Sequence, residues 1–158
     1  LSSGCFESVV GGGPAAKFGR GTSDGDVVEF RYNNALVGSI SVNGTNTAYN
    51  ETSDYRLKEN VVPLTGAIDR VKQLKPSKFN FIADPDKTTV DGFLAHEAQA
   101  VVPECVTGEK DAVDAEGKPK YQGIDKSKLV PLLTAALQEA LQKIESLETR
   151  IAALEVTK

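Results

Sequence analysis

Short segments with alternating apolar and polar residues occupy the first third of the chain. Val28, Phe30 and Tyr32 alternate with charged residues, which predicts a strand with one apolar and one charged face. A second alternating run begins at Gly38 and ends at Asn43-Gly44, a dipeptide typical of tight turns. Strands with about three apolar residues per face cannot bury a core within one chain. We therefore expect this region to pair with copies of itself as an intertwined β stalk.

The middle of the chain has the mixed pattern of a small α+β domain. Four apolar residues at helical spacing predict a helix that stops before Pro76; they are Leu64, Ile68, Val71 and Leu74. The alternation around Phe79 and Phe81 predicts a strand, and residues 92–95 predict a second short strand. Residues 96–102 then predict a short helix that Pro103 closes.

The segment 107–120 differs from its surroundings because almost every residue in it is polar. A polar stretch of that length predicts either a disordered loop or a functional protrusion.

Apolar residues repeat in heptads from Val130 onwards. They occupy two seam positions in four successive heptads: Val130, Leu137, Ile144 and Ile151, with Leu133, Ala140, Leu147 and Leu154. This pattern predicts a helix that forms a coiled coil with other chains. The residue types at the seam favour two strands, but Ala140 and the short seam weaken that preference and leave the number of chains open. Pro131 has to lie near the start of the helix.

Composition excludes several classes of protein. The 158 residues include 18 Lys and Arg against 22 Asp and Glu, for a net charge of −4. The absence of a basic block argues against a nucleic-acid groove. No apolar run approaches the length of about 18 residues that a membrane span needs. Because the chain has no Met, we expect it to begin within a longer protein. Cys5 and Cys105 are expected to be free thiols, with Cys105 a small core residue.

Metal and cofactor motifs are incomplete. His96-Glu97 begins like a zinc-protease motif, but the second His is replaced by Ala100. The run 84–86 begins like a calcium loop but lacks the glycine and the final glutamate that such a loop requires. We therefore expect neither a metal nor a cofactor.

The junction at residues 50–60 contains a serine and a lysine five positions apart, Ser53 and Lys58. This spacing is common, and in its plain structural interpretation Ser53 or Asp54 caps a turn and Lys58 is a solvated charge. Residues five apart do not share a face of a helix or a strand. Contact between Ser53 and Lys58 would need a turn or a neighbouring subunit.

Several separated blocks together resemble one known family. They are Ser-Asp-x-Arg-Leu-Lys-Glu-Asn at 53–60, Leu-Lys-Pro at 74–76, Phe-x-Phe at 79–81, Gly-Phe-Leu-Ala-His-Glu at 92–97, Val-Pro-Glu at 102–104, Tyr-x-Gly-Ile-Asp at 121–125 and Leu-Val-Pro-Leu-Leu at 129–133. In this order they closely resemble the C-terminal intramolecular chaperone domain of bacteriophage tailspikes, tail fibres and neck appendages. This is a family of self-cleaving peptidases, best known from endosialidase tailspikes, and the resemblance covers about residues 50–156.

The resemblance implies a homotrimeric α+β protein in three parts. Residues 1–52 would be the end of a triple β-helix stalk of the parent fibre or tailspike. Residues 53–125 would form the chaperone and autoprotease core, with a protrusion at about 107–120 that embraces the stalk. Residues 126–158 would form a trimeric coiled coil, which overrides the weak preference for two strands.

The resemblance also implies a catalytic site. Ser53 matches the nucleophile and Lys58 the general base of a Ser-Lys dyad, which would cut the chain once at Thr52–Ser53. Asp54, Arg56, His96 and Glu97 are candidates for supporting roles, and Arg56, His96 or a backbone amide could stabilise the oxyanion. Lysine acts as a base only when neutral, so burial on assembly would activate it.

The implied partners are the other copies of the chain and the parent protein's own stalk, with no nucleic acid and no membrane. Folding and cleavage would take place in the host bacterial cytoplasm, after which the parent protein joins the virion tail without the chaperone. Two alternatives stay open. One is a structural trimerisation tip of a viral fibre that does not cleave; the other is a cellular self-processing domain like that of the myelin regulatory factors. The Gly- and Asn-rich stalk speaks against the second.

Overall fold

The computed structural model describes residue 11, residue 14 and residues 16–156. The chain divides into two compact units, Leu1–Val61 and Val62–Lys158. Cys5, one of the two expected free thiols, lies outside the described residues.

The first unit contains an antiparallel sheet of three sequential strands. They are β1 (Gly25–Tyr32), β2 (Ala35–Asn43) and β3 (Asn46–Glu51). Asn33 and Asn34 link the first two strands with φ of 47° and 63°, the left-handed pair that a type I′ hairpin turn requires. Gly44, with φ 54°, begins the second turn. The alternating strands and the turn at Asn43-Gly44 are therefore confirmed.

The sheet of the first unit leaves its apolar side chains open to solvent. Phe30, Tyr32 and Tyr49 are exposed, and the fully buried residues among the described part of this unit are Gly38 and Ser39. One chain thus builds no hydrophobic core here, in line with the small number of apolar residues per face. Intertwining of this sheet with other copies stays a prediction.

The second unit combines short elements with one long helix. In chain order these are α1 (Ala67–Val71), β4 (Ser77–Phe79), β5 (Val90–Gly92), α2 (Ala95–Gln99), β6 (Val106–Thr107), β7 (Gly123–Ile124) and α3 (Val130–Val156). β4 pairs with β5 and β6 with β7, both antiparallel. One core joins the helices to the turns between them: Ala67, Leu74, Ala98, Val102, Cys105, Leu129, Leu132 and Ala135. Cys105 is thus the small core residue expected from the sequence.

The helix predicted between Leu64 and Leu74 is shorter in the structure. Gly66 takes a left-handed conformation, with φ 69°, directly before α1, so the helix cannot extend back to Leu64. The helix ends at Val71, and a further turn brings Leu74 into the core. The helical spacing therefore identified the buried Leu74 and the partly buried Val71 but overestimated the length of the helix.

The two short strands and the helix that follows them also differ from their predicted bounds. β4 ends at Phe79, and Phe81 lies beyond it with its ring edge-on to that of Phe79, the centroids 5.4 Å apart. β5 overlaps the predicted strand of residues 92–95 only at Gly92, because Leu94 is the N-cap of α2, which begins at Ala95. Residues up to Val102 continue α2 as hydrogen-bonded turns.

The polar segment 107–120 folds back on itself as an exposed hairpin. The amide of Lys120 donates to the carbonyl of Ala112 at 2.8 Å, and that of Asp114 to the carbonyl of Lys118 at 2.9 Å. The Asp114 carboxylate accepts from the amides of Glu116 and Lys118, which closes the tip. The sequence predicted either a disordered loop or a protrusion. These hydrogen bonds are those of an ordered, protruding hairpin.

Helix α3 presents two different apolar faces. It begins at Val130, so Pro131 lies in the first turn, where its missing N–H is not needed. Leu132 and Ala135 are buried in the core. All but one of the heptad residues are exposed large hydrophobics: Val130, Leu133, Leu137, Ile144, Leu147, Ile151 and Leu154. We call these residues, with Ala140, the seam; the helix is confirmed, and its pairing with other chains stays a prediction.

Glu139 on α3 caps the short helix α1. Its two carboxylate oxygens accept hydrogen bonds from the amides of Ala67, at 2.9 Å, and Ile68, at 3.0 Å. Gly66, the residue before α1, has no side chain to cap the helix. The cap comes instead from Glu139, 72 positions after Ala67 in the sequence. The hydrogen bonds from Ile68 and Ala67 hold the pKa of the Glu139 carboxyl below its usual value.

Within the described residues, no helix is both long and apolar enough to cross a membrane.

Candidate functional site

A tight turn separates Ser53 from Lys58. Residues Tyr55–Leu57 form one turn of 3-10 helix, and Asp54 caps its start by accepting a hydrogen bond from the Arg56 amide at 2.8 Å. The amide of Leu57 donates to the carbonyl of Asp54, and that of Lys58 to the carbonyl of Tyr55, both at 3.1 Å. This turn reverses the chain and brings its two ends together.

The side chain of Lys58 bonds to Ser53 twice. Its Nζ lies 2.6 Å from Ser53 Oγ and 3.2 Å from the carbonyl oxygen of Ser53. The sequence left two routes to this contact, a local turn or a neighbouring subunit, and the structure shows the turn. The serine and the lysine are therefore within hydrogen-bond reach in one chain, as a nucleophile and its base must be.

Asp54 and Arg56 form a clamp on the same turn. The guanidinium of Arg56 donates through Nε to Asp54 Oδ1 at 2.9 Å and through its terminal nitrogen to Oδ2 at 2.8 Å. The hydrogen bonds from the guanidinium and then the amide of Arg56 lower the pKa of the Asp54 carboxyl, and the Asp54 carboxylate raises the pKa of Arg56. The clamp links the residue before the 3-10 turn to a residue within it and so stabilises the turn.

The turn that carries Ser53 and Lys58 is open to solvent and includes exposed apolar side chains. Both side chains are exposed, as are Tyr55 (82%), Leu57 (69%) and Val61 (80%) in the same unit. Large apolar side chains at this exposure lose contact with water when another surface covers them.

Thr52 is tied to β2 although it lies beyond the end of β3. Its amide donates to the carbonyl of Val37 and its hydroxyl to the carbonyl of Leu36, each at 3.1 Å. The sequence analysis did not identify Leu36 and Val37 as contacts. The signal for them was the two-residue turn after Asn43, because a hairpin turn of known length sets the register of every later pair.

His96 and Glu97 belong to the second unit, whereas the other candidate residues belong to the first. His96 is exposed near the start of α2 and lines an open cleft with Tyr121, Gln122 and the base of the 107–120 hairpin. Glu97 pairs with Lys75 at 3.0 Å, which is a structural role.

Neither a metal site nor an activated cysteine is found in the described part of the chain. No three His, Cys, Asp or Glu side chains there come together as ligands. Cys105 is buried and unpaired, and burial raises the pKa of its thiol, so it is less readily ionised than an exposed cysteine.

Comparison with known proteins identifies the family of the central segment. Residues 53–107 match the model of Peptidase_S74, described as the chaperone of endosialidase. No curated protein matches the chain significantly. The matched segment begins at Ser53, includes the turn with Lys58 and ends after the buried Cys105. The resemblance inferred from the sequence motifs is therefore confirmed for residues 53–107, which match the model of the chaperone of endosialidase family.

Proposed function

We propose that this chain is an intramolecular chaperone that assembles three copies of its parent fibre and then releases itself by cutting Thr52–Ser53. The observation that carries the proposal is the 2.6 Å distance between Lys58 Nζ and Ser53 Oγ. The family name supports it, since it describes both a peptidase and a chaperone.

The chemistry follows from the two side chains at the turn. Ser53 Oγ attacks the carbonyl carbon of Thr52 while Lys58 Nζ accepts its proton, and the new C–O bond closes a five-membered ring. The C–N bond then breaks, and the proton passes from Nζ to the leaving amine of Ser53. Water hydrolyses the resulting ester, which leaves a carboxylate on Thr52 and a free amine and hydroxyl on Ser53.

Covering of the site would set the timing of the cut. Lys58 and Ser53 are both exposed in one chain, and a lysine can accept the Ser53 proton only in its neutral form. The exposed apolar neighbours Tyr55 and Leu57 offer a surface on which another chain can pack. Such packing removes water from Lys58 and favours its neutral form. Cleavage would thus follow assembly.

Trimer formation would depend on the seam of α3. The seam leaves a row of Leu, Ile and Val side chains exposed in one chain, at the heptad spacing of a coiled coil. We assign the stalk role to the three-stranded sheet and the stalk-embracing role to the 107–120 hairpin. The work of the domain would end in the host cytoplasm, before the parent protein reaches the virion tail.

Intact mass spectrometry of the purified chain tests the cut. We expect the parent protein to yield a fragment that begins at Ser53. This fragment should be absent from Ser53→Ala and should appear roughly a thousandfold more slowly in Lys58→Ala. Lys78→Ala, which removes an exposed lysine from β4, serves as the control and should cleave like the parent. An uncut parent protein that is folded and assembled would overturn self-cleavage and favour the structural fibre tip.

A further inference from the structure

The bond proposed for cleavage is held from both sides. On one side, Thr52 donates its amide to the carbonyl of Val37 and its hydroxyl to that of Leu36. On the other side, Ser53 receives two hydrogen bonds from Lys58. The peptide between Thr52 and Ser53 therefore lies between an anchor on the sheet and an anchor on the turn.

We propose that the Thr52 hydroxyl is a positioning group for self-cleavage. Its hydrogen bond to Leu36 fixes the residue before the cut and makes the reaction depend on complete pairing of β2 with β3. This inference rests on the proposed self-cleavage and adds what holds the bond in place.

Orientation explains why such an anchor matters. Attack by Oγ requires the Thr52 carbonyl carbon to face the hydroxyl of the next residue, and a peptide that rotates freely seldom presents that geometry. A backbone hydrogen bond alone leaves the side chain of Thr52 free to turn. The hydroxyl adds a second point of attachment on the neighbouring carbonyl of β2, so the residue is held at two points.

The pairing next to Thr52 tolerates little change. Gly38 pairs with Glu51, and a Cβ at Gly38 would lie 2.7 Å from the backbone oxygen of Asn50. Asn50 also donates to the hydroxyls of Ser39 and Ser41, at 3.2 and 2.9 Å. A change at Gly38 must therefore shift β3 just before it reaches Thr52.

Three threonine substitutions separate the hydroxyl from the shape of the side chain. Thr52→Val keeps the branched shape without the donor, and we expect it to slow cleavage about fivefold to tenfold. Thr52→Ser keeps the donor and should cleave at nearly the parent rate. Thr47→Val is the matched control on β3, because the Thr47 side chain makes no hydrogen bond within the described part of the chain. The rates come from intact mass spectra taken over time.

The outcomes separate this inference from the proposed function. Cleavage of Thr52→Val at the parent rate, with Ser53→Ala uncut, would overturn the inference and leave self-cleavage standing. Thr52→Ser as slow as Thr52→Val would assign the effect to shape and would also overturn it. If the folded and assembled parent protein itself stays uncut, both the inference and the proposed function fall.

A second measurement does not depend on cleavage, so it still tests the anchoring of Thr52 if a Thr52 variant folds poorly. In the Ser53→Ala protein, we expect the Thr52 amide to exchange slowly with solvent deuterium, because it is bonded to Val37. Gly38→Ala should speed this exchange at least tenfold, whereas Gly21→Ala, where a Cβ meets open space, should leave it unchanged. Exchange as fast as in an unstructured peptide would overturn the inference.

Discussion

Glu139 shows how one side chain can join distant parts of the domain. Its carboxylate replaces the missing cap of α1, and both of its oxygens are used. The hydrogen bonds from Ile68 and Ala67 favour the charged form, which is why the pKa of this carboxyl is lowered in the folded protein. The stability that it contributes is therefore present at neutral pH and is lost as the pH falls through the folded-state pKa.

We expect Glu139→Gln to melt at a lower temperature than the parent protein at pH 7. Below about pH 4.5 the variant should lose less stability than the parent protein does. The glutamine cannot offer two carboxylate oxygens to the two amides. Thermal melts of both proteins between pH 7 and pH 3 measure this effect. Glu145→Gln, the same change on the same helix, is the control and should melt like the parent. Parallel pH profiles for the parent and Glu139→Gln would contradict the prediction.

The candidate site could be predicted from the sequence only in part. The motif Ser-Asp-x-Arg-Leu-Lys predicted that Ser53 and Lys58 act together, and the structure places their side chains within hydrogen-bond distance. Spacing alone could not show that Asp54 and Arg56 clamp the turn, because each residue type is common in loops. The contacts of Thr52 with β2 depend on strand register, which the sequence sets through the turn at Asn43 rather than through Thr52 itself.

Among the elements, the turn at Asn43-Gly44 was the most predictable and α1 the least. Glycine readily takes the positive φ that this turn requires. The spacing of apolar residues did not reveal that Gly66 delays the start of α1 or that the helix ends at Val71, since Leu74 still reaches the core through a further turn. Strands of two or three residues, such as β6, give no periodic signal at all.

Helix α3 supplies the clearest prediction at this scale. Leu132 is 2% exposed and packs in the core with Leu129 and Ala135. Leu132→Ala should therefore lower the free energy of unfolding by about 2–5 kcal/mol, because it leaves a cavity. Chemical denaturation at one protein concentration measures the change. Leu141→Ala removes the same atoms from a half-exposed position outside the seam and should cost much less; equal losses would contradict this account.

For the whole molecule, the sequence predicted an α+β chain with a stalk, a mixed domain and a terminal helix. The structure shows a sheet, a mixed unit and a helix in that order. The assembly that we propose would use a surface that one chain leaves exposed, the seam of α3.

We expect Ile144→Asp to raise the protein concentration needed for assembly at least tenfold, because it places a carboxylate in the apolar seam. Sedimentation equilibrium measures the molar mass against concentration. Ser146→Asp adds the same charge to the same turn away from the seam and should assemble like the parent. An unchanged molar mass for Ile144→Asp would contradict the role of the seam. Cleavage by unassembled Ile144→Asp at the parent rate would contradict activation by neighbouring chains.

The two faces of α3 have a mechanical consequence. Leu132 lies in the core and Leu133 on the seam, and consecutive residues of a helix point about 100° apart. A single residue inserted after Ala140 would rotate the rest of the seam by that angle relative to the core. Composition and apolar content would hardly change, yet the seam would be split into two misaligned halves. In the coiled coil that we propose, the rotational phase of α3 would therefore set the direction in which each domain faces around the shared axis.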